Sequence, residues 1–254
     1  MSLKIQVPQD VDPEDLVGYF VSFESFFLNN EGMRNALLGV KDNLRQAALL
    51  LDEPLGMLAC LTAEEEAATF LYYALQGKEY CVPEYGKLRR HPDKLKLVVF
   101  AIVTQRYFFS RMPSELSSVI SVERDGQRPI TCYKFYINGF ECVQDDPLET
   151  VVTSGEEEGS HDHAVEASVT EVLADITRKG YTVNSYIKYL ANRRNLCLYG
   201  DPTKKIRLQS TEELEHFKSN CISMIVLGLL VYNGNYPTPS MLKLVKSIFD
   251  KIRE

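Results

Sequence analysis

Apolar residues recur at spacings of three and four along most of this chain, the period of a helix with one buried face. Met33, Leu37, Val40, Leu44, Ala47 and Leu51 form the cleanest stripe. It predicts a helix that begins after the Asn29-Asn30-Glu31-Gly32 break and ends at Pro54. Ahead of it, Asp12-Pro13-Glu14-Asp15 supplies a capping aspartate, a proline at the first helical position and acids in the first turn, so a first helix is expected to run to about Asn29. A third helix starts near Pro54, turns Leu55, Ala59, Ala63, Phe70 and Ala74 inward, and closes around Gly77. The fourth opens near His91-Pro92-Asp93 and continues until Pro113, where the ring forbids further helix. The helical period returns over 164–179 and 183–196, then from Thr211 to Tyr232 behind a Ser210/Thr211 cap, and from Pro239 to the end.

One stretch has a different texture. SSVISVERDGQRPITCYKFYINGFECV alternates β-branched, aromatic and polar residues around the turn pairs Asp125-Gly126 and Asn138-Gly139. Two or three antiparallel strands are expected, too few to stand alone and so dependent on the helices. The predicted fold class is mainly α, a helical bundle with a small inserted antiparallel β-hairpin or meander. Four segments follow: an N-terminal helical bundle over 1–112, the β element over 113–144, an acidic flexible loop over 145–163, and C-terminal helices over 164–254 packed on the bundle.

Composition narrows the function classes. Hydrophobic residues make up 45% and charged residues 25%, enough for a sizeable core. The formal net charge of −7 argues against a protein that coats nucleic acid through bulk positive charge. From Asp145 to His163 every formal charge is negative. The six cysteines lack any CxxC pair and sit mostly in apolar patterns, which fits a reduced, cytoplasmic protein. The start MSLKIQVPQDVDPED has no signal-peptide pattern, and the apolar run Ile225–Val231 is too short to span a bilayer. No membrane association is expected.

Polar residues that fall on the helical stripes are the candidates for chemistry, because an isolated buried charge is costly. On the third helix Glu66 lies one turn from both Ala63 and Phe70, while Glu65 is expected to point away and Glu64 to sit at the border. Arg106 follows Ile102 on the inner face of the fourth helix, His91 opens that face, and Glu24 lies between Phe20 and Phe27. Glu66 and Arg106 form the expected pair. It has two readings: an ion pair that fixes helix register, or a functional pocket in which Glu66, His91 and Arg106 move protons and stabilise a phosphate. Lys87, Arg89, Arg90 and Lys94 crowd the start of the same helix, where free N–H groups add to their charge. That run reads either as a solvated basic loop or as an anion- or RNA-binding patch. His161-Asp162-His163 and the Glu213…His216 spacing do not make a metal site, since a di-iron bundle needs two such motifs and further carboxylates. No metal and no cofactor is expected, and no nucleophile elbow or phosphate loop appears. Tyr186, Tyr189, Tyr232 and Tyr236 offer faces for a protein partner.

The segment Leu58-Ala59-Cys60-Leu61-Thr62-Ala63-Glu64-Glu65-Glu66-Ala67-Ala68, followed by His91-Pro-Asp-Lys94-Leu95, resembles the HEPN-like helical proteins of the AbiV abortive-infection type over about residues 33–110. Ala67-Ala68 or Ala68-Thr69 stands where that family carries Gly-Lys. Many HEPN proteins are ribonucleases that use an arginine four to six residues before a histidine. Here the positions ahead of His91 hold Glu84, Tyr85 and Gly86, and His161, His163 and His216 also lack the arginine. The resemblance therefore implies a non-catalytic or differently wired, homodimeric member that arrests growth or translation by binding a phage or host component. An RNA- or nucleotide-processing enzyme and a protein-binding adaptor without chemistry are the alternatives.

Overall fold

The computed structural model describes residues 5–12, 15–80, 91–111, 118–137, 140–144, 166–167, 169–171, 173–174, 182–200, 206–234, 237 and 239–253. The acidic stretch 145–163 lies outside them. Helix α1 spans Leu16–Val21 and is capped by Asp15, whose carboxylate accepts from the Gly18 N–H at 3.0 Å. It is shorter than expected. The Ser22 hydroxyl donates back to the Tyr19 carbonyl at 2.6 Å, a local bond that competes with the helical ladder, and the chain continues as a 3₁₀ turn over Glu24–Phe27.

Helix α2 spans Glu31–Leu49 behind an Asn30 cap, and α3 spans Pro54–Gly77 with its proline in the first turn. Their junction is tight. Asp52 takes a positive φ of 67°, and a Cβ on Gly56 would lie 2.2 Å from the Leu50 carbonyl oxygen, so only glycine fits there. Helix α4 spans His91–Arg111, α5 Val183–Tyr199, α6 Thr211–Asn233 and α7 Pro239–Arg253.

The β element is a four-stranded mixed sheet in the order β1-β2-β3-β4, with β1 at Ile5–Gln6, β2 at Ser118–Asp125, β3 at Arg128–Ile137 and β4 at Phe140–Gln144. The antiparallel β2-β3-β4 meander matches the alternation in the sequence, with Ser121 opposite Cys132 and Phe135 opposite Cys142. The parallel strand β1 does not follow from the pattern, because two residues carry no period to read. Helices support the sheet: the Tyr19 hydroxyl donates to the Val122 carbonyl at 3.0 Å, and Asn233 donates to the Pro129 carbonyl at 2.8 Å.

Among the described residues, one hydrophobic cluster runs through each of the helices α1 to α7, takes in Val169 and Leu173, and reaches into β2 and β3. Helices α3 and α6 form its middle. A Cβ on Gly228 would meet the Phe70 ring at 2.8 Å, so glycine lets the two helices approach closely. Phe27 packs edge-on to both Phe70 and Tyr232, and Phe100 of α4 stacks on Phe249 of α7 at 4.5 Å. Helix α6 is long and apolar enough to cross a membrane by length and composition, yet here those apolar residues, from Leu214 to Val231, fill the core.

Candidate functional site

Three consecutive glutamates leave α3 in directions about 100° apart, so each meets different neighbours. Glu66 packs its stem over Gly39 of α2, and its Oε1 accepts from Lys94 Nζ of α4 at 2.7 Å. Lys94, expected to face an anion or RNA, is thus engaged by a carboxylate. The partner that Glu66 meets is Lys94; Arg106, expected to pair with it, lies about 18 Å further along α4 at 1.5 Å per residue, and its side chain lies outside the described residues. His91 is the first residue of α4, one turn before Lys94. Lys87, Arg89 and Arg90 lie outside the described residues, as do His161, His163 and Tyr236.

Glu65 reverses its expected orientation. It is 3% exposed, and its Oε2 accepts from Arg194 Nη1 of α5 at 3.1 Å, while the same guanidinium reaches Thr62 Oγ1 at 3.4 Å. The cause is the position of α3. Packed against α2, α4, α5 and α6, with 15 of its 24 residues buried, it has no single inner face for a stripe to mark.

Glu64 faces α6, where its Oε1 accepts from Asn220 Nδ2 at 2.9 Å. Burial pushes its carboxyl up to about 7, against the downward pull of the Asn220 hydrogen bond and the Arg193 charge. Arg193 lies 3.6 Å from the Met57 sulfur and 4.0 Å from Glu213. Burial, and next the Glu64 charge, pushes the Cys60 thiol up to about 12 and Cys221 well above its ordinary value, so neither is an activated nucleophile. Together these contacts tie α3, α5 and α6 through a polar junction. Chemically it holds a carboxyl divided between its protonated and ionised forms near neutral pH, with two guanidinium groups close by.

Glu213 has an ordinary explanation. Its N–H donates to Ser210 Oγ at 3.2 Å while its carboxylate accepts from the Gln209 N–H at 2.9 Å, a reciprocal cap on α6. His216 is exposed on the next turn, and among the described residues no group of three His, Cys, Asp or Glu could hold a metal ion.

The polar junction fixes one side of α5, and the other side faces out. Ser185, Lys188, Tyr189, Asn192 and Asn195 recur at helical spacing and, with Ala191, line an open depression of about 500 Å³. Tyr189 is 43% exposed and stacks with Tyr186 at 6.4 Å between ring centroids. Tyr232 instead packs edge-on to Phe26 and Phe27 as part of the core. Of the two α5 tyrosines expected to form a partner face, Tyr189 is exposed and Tyr186 is half-buried against the core, while Arg193 and Arg194 were missed by the sequence reading. The available signal was the Asn192-Arg193-Arg194-Asn195 run in the middle of a helix, matched by the acids of α3. No protein-family model, no curated protein and no solved structure matches this chain.

Proposed function

We propose that this chain is a cytoplasmic, HEPN-like interaction protein of the AbiV type, homodimeric through helical faces, that arrests growth or translation by binding a phage or host protein on the outer face of α5. The observation that carries the reading is the exposed Tyr189, backed by its stack on the half-buried Tyr186 and set among Ser185, Lys188, Asn192 and Asn195. Tyrosine supplies a large contact area at low conformational cost, and serine and asparagine adapt their hydrogen bonds to a partner. The Glu65–Arg194 bond holds the helix that presents them, so the face is organised before a partner arrives.

Tightly controlled induction in a bacterial host tests this, with new protein synthesis pulse-labelled and total RNA run from the same cultures. Synthesis is expected to collapse while RNA stays intact. Tyr189→Ala combined with Lys188→Glu should restore synthesis at an unchanged melting temperature, because both side chains face out. Synthesis that continues at the uninduced rate overturns the reading.

A second reading, an RNA- or nucleotide-processing enzyme, is favoured by Glu64. A carboxyl pushed up to about 7 by burial, beside the Arg193 charge, has the proton affinity of a general acid or base. Fragmented RNA after induction, abolished by Glu64→Gln, would put this reading first.

A further inference from the structure

We propose that the cleft where β1 parts from β2 binds a small zwitterion, a free α-amino acid with an apolar side chain, its carboxylate on Arg124 and its ammonium on Asp10. The parallel pairing of the two strands ends at Gln6 and Ser121. From there the chain turns away through Pro8, whose carbonyl accepts from the Val11 N–H at 3.1 Å, while β2 runs on to Asp125. The parting leaves a cleft of about 400 Å³, with residues 6–10 as one wall and Ser121, Glu123 and Arg124 as the other.

Two opposite charges line this cleft without meeting. Arg124 lays its guanidinium over the Phe23 ring at 5.0 Å and the Tyr19 ring at 5.7 Å, and donates through Nη2 to the Ser22 hydroxyl. Stacking on two rings fixes the plane of the group, and the remaining N–H donors along its edge stay unclaimed. Glu123, the acid next to it in the chain, is engaged elsewhere: its carboxylate accepts from Lys134 Nζ at 2.7 Å and from the Ser121 hydroxyl at 3.0 Å. Asp10 is exposed on the opposite wall, and among the described residues nothing bonds to its carboxylate or pairs Arg124 with an acid. The Tyr19 phenol, raised above its ordinary value chiefly by burial, feels both charges, Arg124 pulling it down and Asp10 pushing it up. A free cation and a free anion thus share one small space.

That combination selects the ligand. A simple carboxylate would satisfy Arg124 and leave Asp10 facing a like charge, and a simple amine would do the reverse. A zwitterion meets both groups at once and leaves the cleft neutral. The size of the cleft suits a small molecule, Val7 and Pro8 offer apolar contact to its side chain, and the Gln6 and Gln9 carboxamides supply further donors and acceptors.

The probes are leucine, 4-methylpentanoate, which lacks the ammonium of leucine, and 3-methylbutylamine, which lacks its carboxylate. Each is titrated into the full chain, with heat and backbone amide shifts recorded. Leucine is expected to saturate with a Kd of about 1 mM or tighter and to move the amides of residues 6–10 and 121–124, and the other two to bind about tenfold more weakly or worse. Asp10→Asn should erase the preference for leucine over 4-methylpentanoate, and Arg124→Gln the preference over 3-methylbutylamine. Both side chains are exposed, and the use of two variants keeps the test open if one of them fails to fold. Leucine that does not saturate by about 20 mM overturns the proposal. So do preferences left unchanged in both variants. Binding of 4-methylpentanoate as tight as that of leucine would make this an anion site on Arg124 alone, and also overturns it. The cleft shares no residue with the outer face of α5, so the outcome of the induction experiment does not decide it.

Discussion

A single carboxyl shows how place outweighs identity. Glu64, Glu65 and Glu66 are chemically equal, yet one is held half-protonated near neutral pH by burial, one is closed into a bond with Arg194, and one pairs with Lys94. The Glu64 shift has a definite sign for stability. Its folded-state value of about 7 lies above the ordinary 4.5, so between those values the folded chain binds the proton that the unfolded chain has lost. Its contribution is therefore complete below pH 4.5, is lost as pH rises toward 7, and levels off above that. Glu64→Gln removes this dependence while keeping an oxygen to accept from Asn220. At pH 8 the variant should be about 2–3 kcal/mol more stable than the parent, and the two should converge near pH 5. Urea denaturation at both pH values checks this, and a parallel pair of curves would show that Glu64 ionises freely.

At the scale of elements, α5 is held by the Glu65–Arg194 bond to α3 together with partly buried apolar residues, Val183, Tyr186, Leu190 and Ala191, packed on the core. Its described residues include just two that are fully buried, Ile187 and Cys197, against twelve in α6. A helix with few fully buried residues gains register from specific polar contacts as well as from packing. Removing either partner of the Glu65–Arg194 bond takes a charge-assisted contact from a carboxylate that is 3% exposed. Glu65→Gln and Arg194→Met should each cost about 2–4 kcal/mol, and the double variant clearly less than their sum. A double-mutant cycle by chemical denaturation measures the coupling, and additive effects would remove this bond from the account of α5. The helix boundaries themselves were legible: α3 runs from Pro54 to Gly77 and α6 begins behind Ser210, as their proline, glycine and capping signals predict. The register of Glu65 was not legible, because periodicity marks a face only when one side of a helix is covered.

For the whole molecule, the shared core has a mechanical consequence. Residues of α3 pack against α6, and α4 stacks on α7 through Phe100 and Phe249, so the first 112 residues and the last 91 complete each other. The N-terminal segment alone would expose the α6-facing side of its central helix. Calorimetry of the full chain is therefore expected to show one cooperative transition, and the fragment 1–112 to lack a folded baseline. Two separate transitions would mean that the halves fold as independent domains.

The sequence by itself determined where the long helices start and stop, that a meander is inserted after the fourth, and where the acidic stretch lies. Caps, prolines, turn pairs and apolar periods are local signals, read within a few residues of where they act. Tertiary structure decided which glutamate meets which cation, that Ile5 and Gln6 join a sheet more than a hundred residues away, and that α5 turns its arginines inward and Tyr189 out. Those outcomes depend on which helices surround α3 and on groups distant in the chain, and no local pattern encodes a neighbour that folding has yet to bring into contact.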